Sequence, residues 1–186
     1  YDDETNETPT SALGGEDVSP STVSNLNSIK LRISVAEVGG VQADNLKFSL
    51  QYATSSDFSG SFTNVVEAGD CQADSGWCYD NAAGLDNTVI TTKLLSDADA
   101  CVGSVGTGCG THNESGTTTS TFTQLANTIA EYEFTIKESG AVANTVYFFR
   151  LVNTAGNSPV GHNIGESYPS VSSQSGTLTF DIDGLP

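Results

Sequence analysis

Basic side chains are scarce in this sequence: six Lys and Arg stand against 23 Asp and Glu, a formal charge of −17 at pH 7. Such a balance excludes nucleic-acid binding, which depends on cations neutralising phosphates, and anionic membranes repel it for the same reason. Apolar runs are short, none approaching the ~18 residues of a membrane-crossing helix, so no membrane insertion is expected. Methionine is absent even at position 1, and Tyr1 is followed by Asp2, Asp3 and Glu4, as in a mature chain whose leader has been removed or an excerpt from a longer one. Catalytic signatures are missing as well. Nothing of the type G-x-S-x-G, H-E-x-x-H or G-x-x-x-x-G-K occurs, and the two histidines, His112 and His162, lie in polar stretches beside Asn113 and Asn163. They are expected to be solvated loop residues. The chain is therefore read as a non-enzyme with no cofactor.

What is present describes a small folded body with an uncharged polar exterior. Hydrophobic residues make up 37% of the 186, with 19 glycines besides, enough for one domain with a core. Only 16% are charged, against about 25% in an ordinary soluble domain. Ser and Thr fill 45 positions, so the surface is rich in hydroxyls with scattered carboxylates. Four cysteines, Cys71, Cys78, Cys101 and Cys109, form two close pairs with six and seven residues between them. Neither spacing is the C-x-x-C of a zinc or redox site. Two local disulfides, Cys71–Cys78 and Cys101–Cys109, are the expected pairing, with the two other connectivities left open. Free thiols are disfavoured, because no cationic neighbour supports a reactive thiolate. An oxidising, extracellular setting follows.

Residues 1–27 hold six acidic side chains, no basic one and few large aliphatics, an acidic N-terminal extension unable to offset its ordering entropy by itself. From residue 28 the period becomes two, and residues 28–186 are read as one β-sandwich domain. Ile29, Leu31, Ile33 and Val35 alternate with Lys30, Arg32, Ser34 and Ala36, a strand with one face on a core and the other in solvent. Leu46 to Tyr52, Ala130 to Ile136 and Thr145 to Val152 read as further strands, the last apolar on both faces and so central. Weaker strands are expected over 62–66, 88–94, 118–125 and 177–183, with an edge strand at Tyr168-Pro169-Ser170-Val171. No segment makes a convincing helix. Long Gly- and Asp-rich loops, 67–87 and 96–120, each carry one expected cystine. The fold class is all-β: an antiparallel β-sandwich of immunoglobulin-like or jelly-roll type with two long disulfide-stapled loops.

The phrases Ile29-Lys-Leu-Arg-Ile-Ser-Val, Leu46-Lys-Phe-Ser-Leu-Gln-Tyr-Ala-Thr, Val146-Tyr-Phe-Phe-Arg-Leu-Val and Tyr168-Pro169 resemble immunoglobulin-like or fibronectin-like modules of secreted bacterial surface proteins. The resemblance covers residues 28–171. It implies surface display and adhesive, structural or filament-forming roles, and it carries over no catalytic residues.

Three candidate sites stand out. Trp77 and Tyr79 flank Cys78 and would make an aromatic platform for a sugar ring, unless Trp77 instead covers the cystine. Leu178, Phe180 and Ile182 lie on one face of a strand within the C-terminal segment 174–186, which either completes its own sandwich or is exchanged with a neighbour, adding to an open sheet edge. Asp181-Ile182-Asp183-Gly184 matches the opening of an EF-hand loop but lacks the glutamate at the twelfth position. With Asp97, Asp99 and the acids from Asp70 to Asp74 it leaves weak calcium binding as the one metal expectation. Asn6 and Asn113 head N-x-[ST] sequons, and the Thr117 to Thr121 tract suits O-glycosylation. The functional expectation is a structural subunit of a cell-surface assembly, a filament, pilus-like fibre or surface layer, whose partners are copies of itself. The competing expectation is a monomeric adhesin or carbohydrate-binding module that meets a glycan or surface ligand through the cystine loops.

Overall fold

A computed structural model describes residues 12–20, 23, 28–81, 84–116, 121–155, 158–161 and 168–173. In chain order the strands are β1 (Ser28–Ala36), β2 (Ala43–Leu46), β3 (Phe48–Ala53), β4 (Thr63–Asn64), β5 (Gly76–Tyr79), β6 (Thr88–Val89), β7 (Cys109–Asn113), β8 (Phe122–Gln124), β9 (Ile129–Ser139), β10 (Val146–Asn153), β11 (Ser158–Pro159) and β12 (Ser170–Ser172). Among the described residues helix is confined to one turn at Ala68–Asp70. The stretch from Thr92 to Ala100 is irregular.

Two five-stranded sheets and a β2–β8 pair build an all-β sandwich. Long β9 organises the first sheet. One of its edges is paired along β1 from Ser28↔Lys137 to Ala36↔Ile129, while the other is shared by β7 near Glu131 to Phe134 and by β5 near Ile136 to Ser139. The β7–β9 pair is parallel, an exception in an otherwise antiparallel set of ladders. In the second sheet β10 is central, with β3 on one side and β11 and β12 on the other. The β9–β10 turn uses Gly140 and Asn144, both at positive φ, where glycine and asparagine carry little steric cost.

The sheets meet through the residues that the period of two assigns inward, Ile29 and Val35 of β1, Phe48 and Leu50 of β3, Tyr132, Phe134 and Ile136 of β9, joined by Phe149 and Leu151 of β10, the strand read as apolar on both faces. Leu50 also donates its backbone N–H to the Tyr79 hydroxyl at 2.7 Å, tying the second sheet to β5. Val65 and Val66 turn the corner between layers, since Val65 N–H bonds Leu50 O while Val66 exchanges bonds with Trp77 and Tyr79. Within 1–27, Leu13 packs on the core, Val23 is buried in it and pairs with Ser173, and Glu16 accepts the Ser96 N–H.

Both cystines have the local pairing, Cys71–Cys78 with Cα atoms 5.8 Å apart and Cys101–Cys109 at 4.6 Å. They belong to an oxidising compartment. No helix among the described residues is long and apolar enough to cross a membrane.

The two long loops are more ordered than their composition suggests. The first contains β5 and the second contains β7, whose five residues Cys109 to Asn113 are all buried. Between them, residues 84–99 lie over the outer face of the first sheet: Ile90 and Ala98 are buried, Asp99 N–H bonds Ile129 O, and the Ser34 hydroxyl donates to Asp97. That cover overturns the expectation that Lys30 and Arg32 face solvent; they are 2% and 7% exposed.

Candidate functional site

Beneath the cover lies a cluster of buried ionisable side chains built from three adjacent strands. Arg32 stands opposite Glu133 across β1–β9, and Glu133 stands beside His112 across β9–β7, so one row across the sheet reads cation, carboxylate, imidazole. Because side chains alternate along a strand, Lys30, Glu131 and Thr135 share that face. The Arg32 guanidinium donates to Glu131 and Glu133, and also to Thr92 O at 3.2 Å. Glu131 further accepts the N–H groups of Leu94 and Leu95, both at 2.9 Å. Lys30 Nζ lies 4.0 Å from Glu133.

His112 is held at both ring nitrogens, Nδ1 2.7 Å from Glu133 and Nε2 2.9 Å from Glu114. It is fully buried, which corrects its reading as a solvated loop residue: β7 inserts it into the sheet, and residues from Gly84 onward close over it. Only glycine fits at 84, since a Cβ there would stand 2.4 Å from His112 Nε2. Burial by itself pushes the imidazole pKa down, but the hydrogen bond and charge of Glu133, together with the bond to Glu114, outweigh it and leave the pKa raised despite opposition from Lys30. Three basic side chains, Lys30, Arg32 and His112, thus face three carboxylates, Glu114, Glu131 and Glu133, the pairing that buried ionisable groups require. Asp86 fastens the edge of the cover by accepting the N–H groups of Glu114 and Ser115 and the Ser115 hydroxyl. Burial raises its pKa, yet those bonds and the His112 charge outweigh burial and hold it below the usual carboxylate range.

Chemically the cluster locks β1, β7, β9 and the cover together. Its acid–base groups are bonded to one another and to the backbone of the cover, and all are buried. Sequence reasoning missed it because an alternation of charged and apolar residues looks the same whether the charged face meets water or meets opposite charges. The available signal was the equal spacing of Lys30/Arg32 and Glu131/Glu133, two residues apart on neighbouring strands.

Trp77 and Tyr79 are fully buried, so the aromatic platform expected in the first cystine loop does not exist. Both sit on β5; Trp77 packs edge-on against Phe149 and Tyr147, with ring centres 5.2 and 5.9 Å away. Asn113 is likewise buried, bonded to Thr111, and offers no acceptor for a glycan. Leu178, Phe180, Ile182, His162, Asn6 and the Asp181 to Gly184 stretch lie outside the described residues. Among the described residues no three His, Cys, Asp or Glu are arranged to hold a metal ion; Asp97 and Asp99 instead bond Ser34 and the Ile129 N–H.

At one end of the sandwich an apolar groove of about 290 Å³ opens between the end of β1, the start of β3 and β11, lined by Val35, Ala43, Leu46, Phe48, Pro159 and Val160. On the second sheet's outer face the Arg150 guanidinium lies 4.3 and 4.7 Å from the ring centres of Phe58 and Phe62. No protein-family model matches the chain, and no curated protein or solved structure shows significant similarity to it.

Proposed function

We propose that the chain is a non-catalytic, secreted structural subunit of a cell-surface assembly, a filament, pilus-like fibre or surface layer, that associates with copies of itself. The observation that carries this reading is the placement of exposed aliphatic side chains at opposite ends of the sandwich. Val142 and Val146 flank the β9–β10 turn at one end, 70% and 42% exposed, and Val38 and Val41 follow β1 at the other, 82% and 71% exposed. Five other large apolar side chains, Val18, Phe62, Leu85, Val102 and Leu125, are exposed as well; the four valines are the ones that an end-to-end contact between copies would cover. The closed ionic cluster supports a structural role, since its cations, carboxylates and imidazole hold strands together and meet no solvent. Disulfides and the resemblance of residues 28–171 to immunoglobulin-like or fibronectin-like surface modules support display outside the cell. Sedimentation velocity of the full chain over a hundredfold range of concentration tests the reading. A series of oligomers growing with concentration is expected, and a single monomer peak at every concentration would overturn it.

A further inference from the structure

The groove and the departure point of the chain lie at opposite ends of the sandwich. Strand β12 runs antiparallel to β10, with Tyr147↔Val171 and Val146↔Ser172, and its end is tied down where Ser173 N–H bonds Thr145 O and Asn144 N–H bonds Ser173 O. The groove is lined at the far end of β10 by Asn153. Eight residues of strand separate the two, about 26 Å at ~3.3 Å per residue. At Ser173 the chain is therefore running away from its own groove. Residues 174–186 follow, in which Leu178, Phe180 and Ile182 alternate with Thr179 and Asp181. The groove, about 290 Å³, is roughly twice the ~150 Å³ of a cavity that admits one benzene-sized group, which suits two such side chains.

We propose that this groove receives the segment 177–183 of a second copy, with Phe180 and one neighbouring aliphatic filling it. The proposal rests on the assembly reading and names its joint. Reaching its own groove would require the segment to reverse after Ser173 and retrace the length of the sandwich, whereas reaching the next copy requires only that two opposite ends abut. Both abutting ends carry exposed valines. A contact between unlike ends is heterologous and need not close, so it repeats into an open row.

Two full-length variants test this. Val160→Lys places a charge in the groove wall and leaves the segment intact; Phe180→Asp spoils the segment and leaves the groove intact. Each alone is expected to lose the oligomers of the parent chain, while an equimolar mixture forms a dimer, because one variant supplies the segment and the other the groove. Thermal unfolding close to that of the parent establishes that each variant is folded. Should Val160→Lys fail to unfold cooperatively, Ala43→Lys takes its place in the same design. If both variants assemble like the parent, the joint lies elsewhere and this inference falls while the assembly reading stands. If both are monomeric and the mixture gives no dimer, the segment serves its own sandwich and the inference falls as well. If the parent itself never assembles, the assembly reading fails first.

Discussion

Arg32 bridges two buried carboxylates, so its loss removes the charged partner of Glu131 and leaves Glu133 to His112 and Lys30. Removing one partner of a buried ion pair costs about 3–5 kcal/mol. Arg32→Met is expected to lower unfolding stability by that amount in urea titrations, and a loss under about 1 kcal/mol, the surface-pair level, would show that the cluster is hydrated. His112 sets a pH dependence. Its pKa is higher folded than unfolded, where it is about 6.5. The stability it contributes is therefore complete below about pH 6.5 and is lost as pH rises through the raised folded value. Glu133, Glu114, Lys30 and Asp86 act on it directly. Glu138, whose pKa burial also raises, adds a loss in the same direction, while the lowered carboxylate of Asp86 acts only at acid pH. Unfolding titrations from about pH 6 upward should show declining stability in the parent chain and a shallower decline in His112→Gln. Equal slopes in both would mean that His112 does not carry the proton.

Strands with apolar alternation were legible at the element scale: β1, β3 and β9 and their inward faces follow from the sequence, because Ile29 to Val35 or Ala130 to Ile136 read at period two, whereas β10 read as a central strand apolar on both faces, with no inward face singled out. Strands β5 and β7 were not. Gly76-Trp-Cys-Tyr and Cys109-Gly-Thr-His-Asn have no alternation, and their pairing comes from β9, more than 20 residues away in sequence. The parallel β7–β9 pair also needs Gly110, where a Cβ would stand 2.1 Å from Glu131 O. Gly110→Ala must push these backbones apart, at about 3 kcal/mol or more by analogy with severe overpacking. Thermal unfolding reads the loss, and an unchanged midpoint would contradict the close approach. The disulfides secure the same regions. Each closes a loop of fewer than ten residues, for which the chain-entropy model gives about 2–3 kcal/mol. Replacing Cys101 and Cys109 together by Ala is expected to cost that amount and to speed amide hydrogen exchange in the cover, at Leu94 and Leu95. Unchanged protection there would show that the cover is held without its staple.

For the whole molecule, charge and shape act in opposite directions. Copies with a formal charge of −17 repel one another, and salt shortens that repulsion to a Debye length of about 8 Å at 0.15 M. Apolar end-to-end contact is little weakened by the same salt. Light scattering should therefore show association strengthening between about 0.01 and 0.15 M NaCl; weakening would indicate joints made of ion pairs. Of the candidate site, the sequence made visible only what one segment holds by itself: the local cystines, and the alternation of Leu178, Phe180 and Ile182. The ionic cluster and the groove required distant segments to be brought together, Lys30 and Arg32 to Glu131 and Glu133, Val35 to Val160. Electron microscopy of the native material tests the central claim most directly. The account predicts unbranched rows in which every subunit has the same orientation and successive subunits meet end to end; dispersed single particles, or pairs related by a two-fold axis, would contradict it.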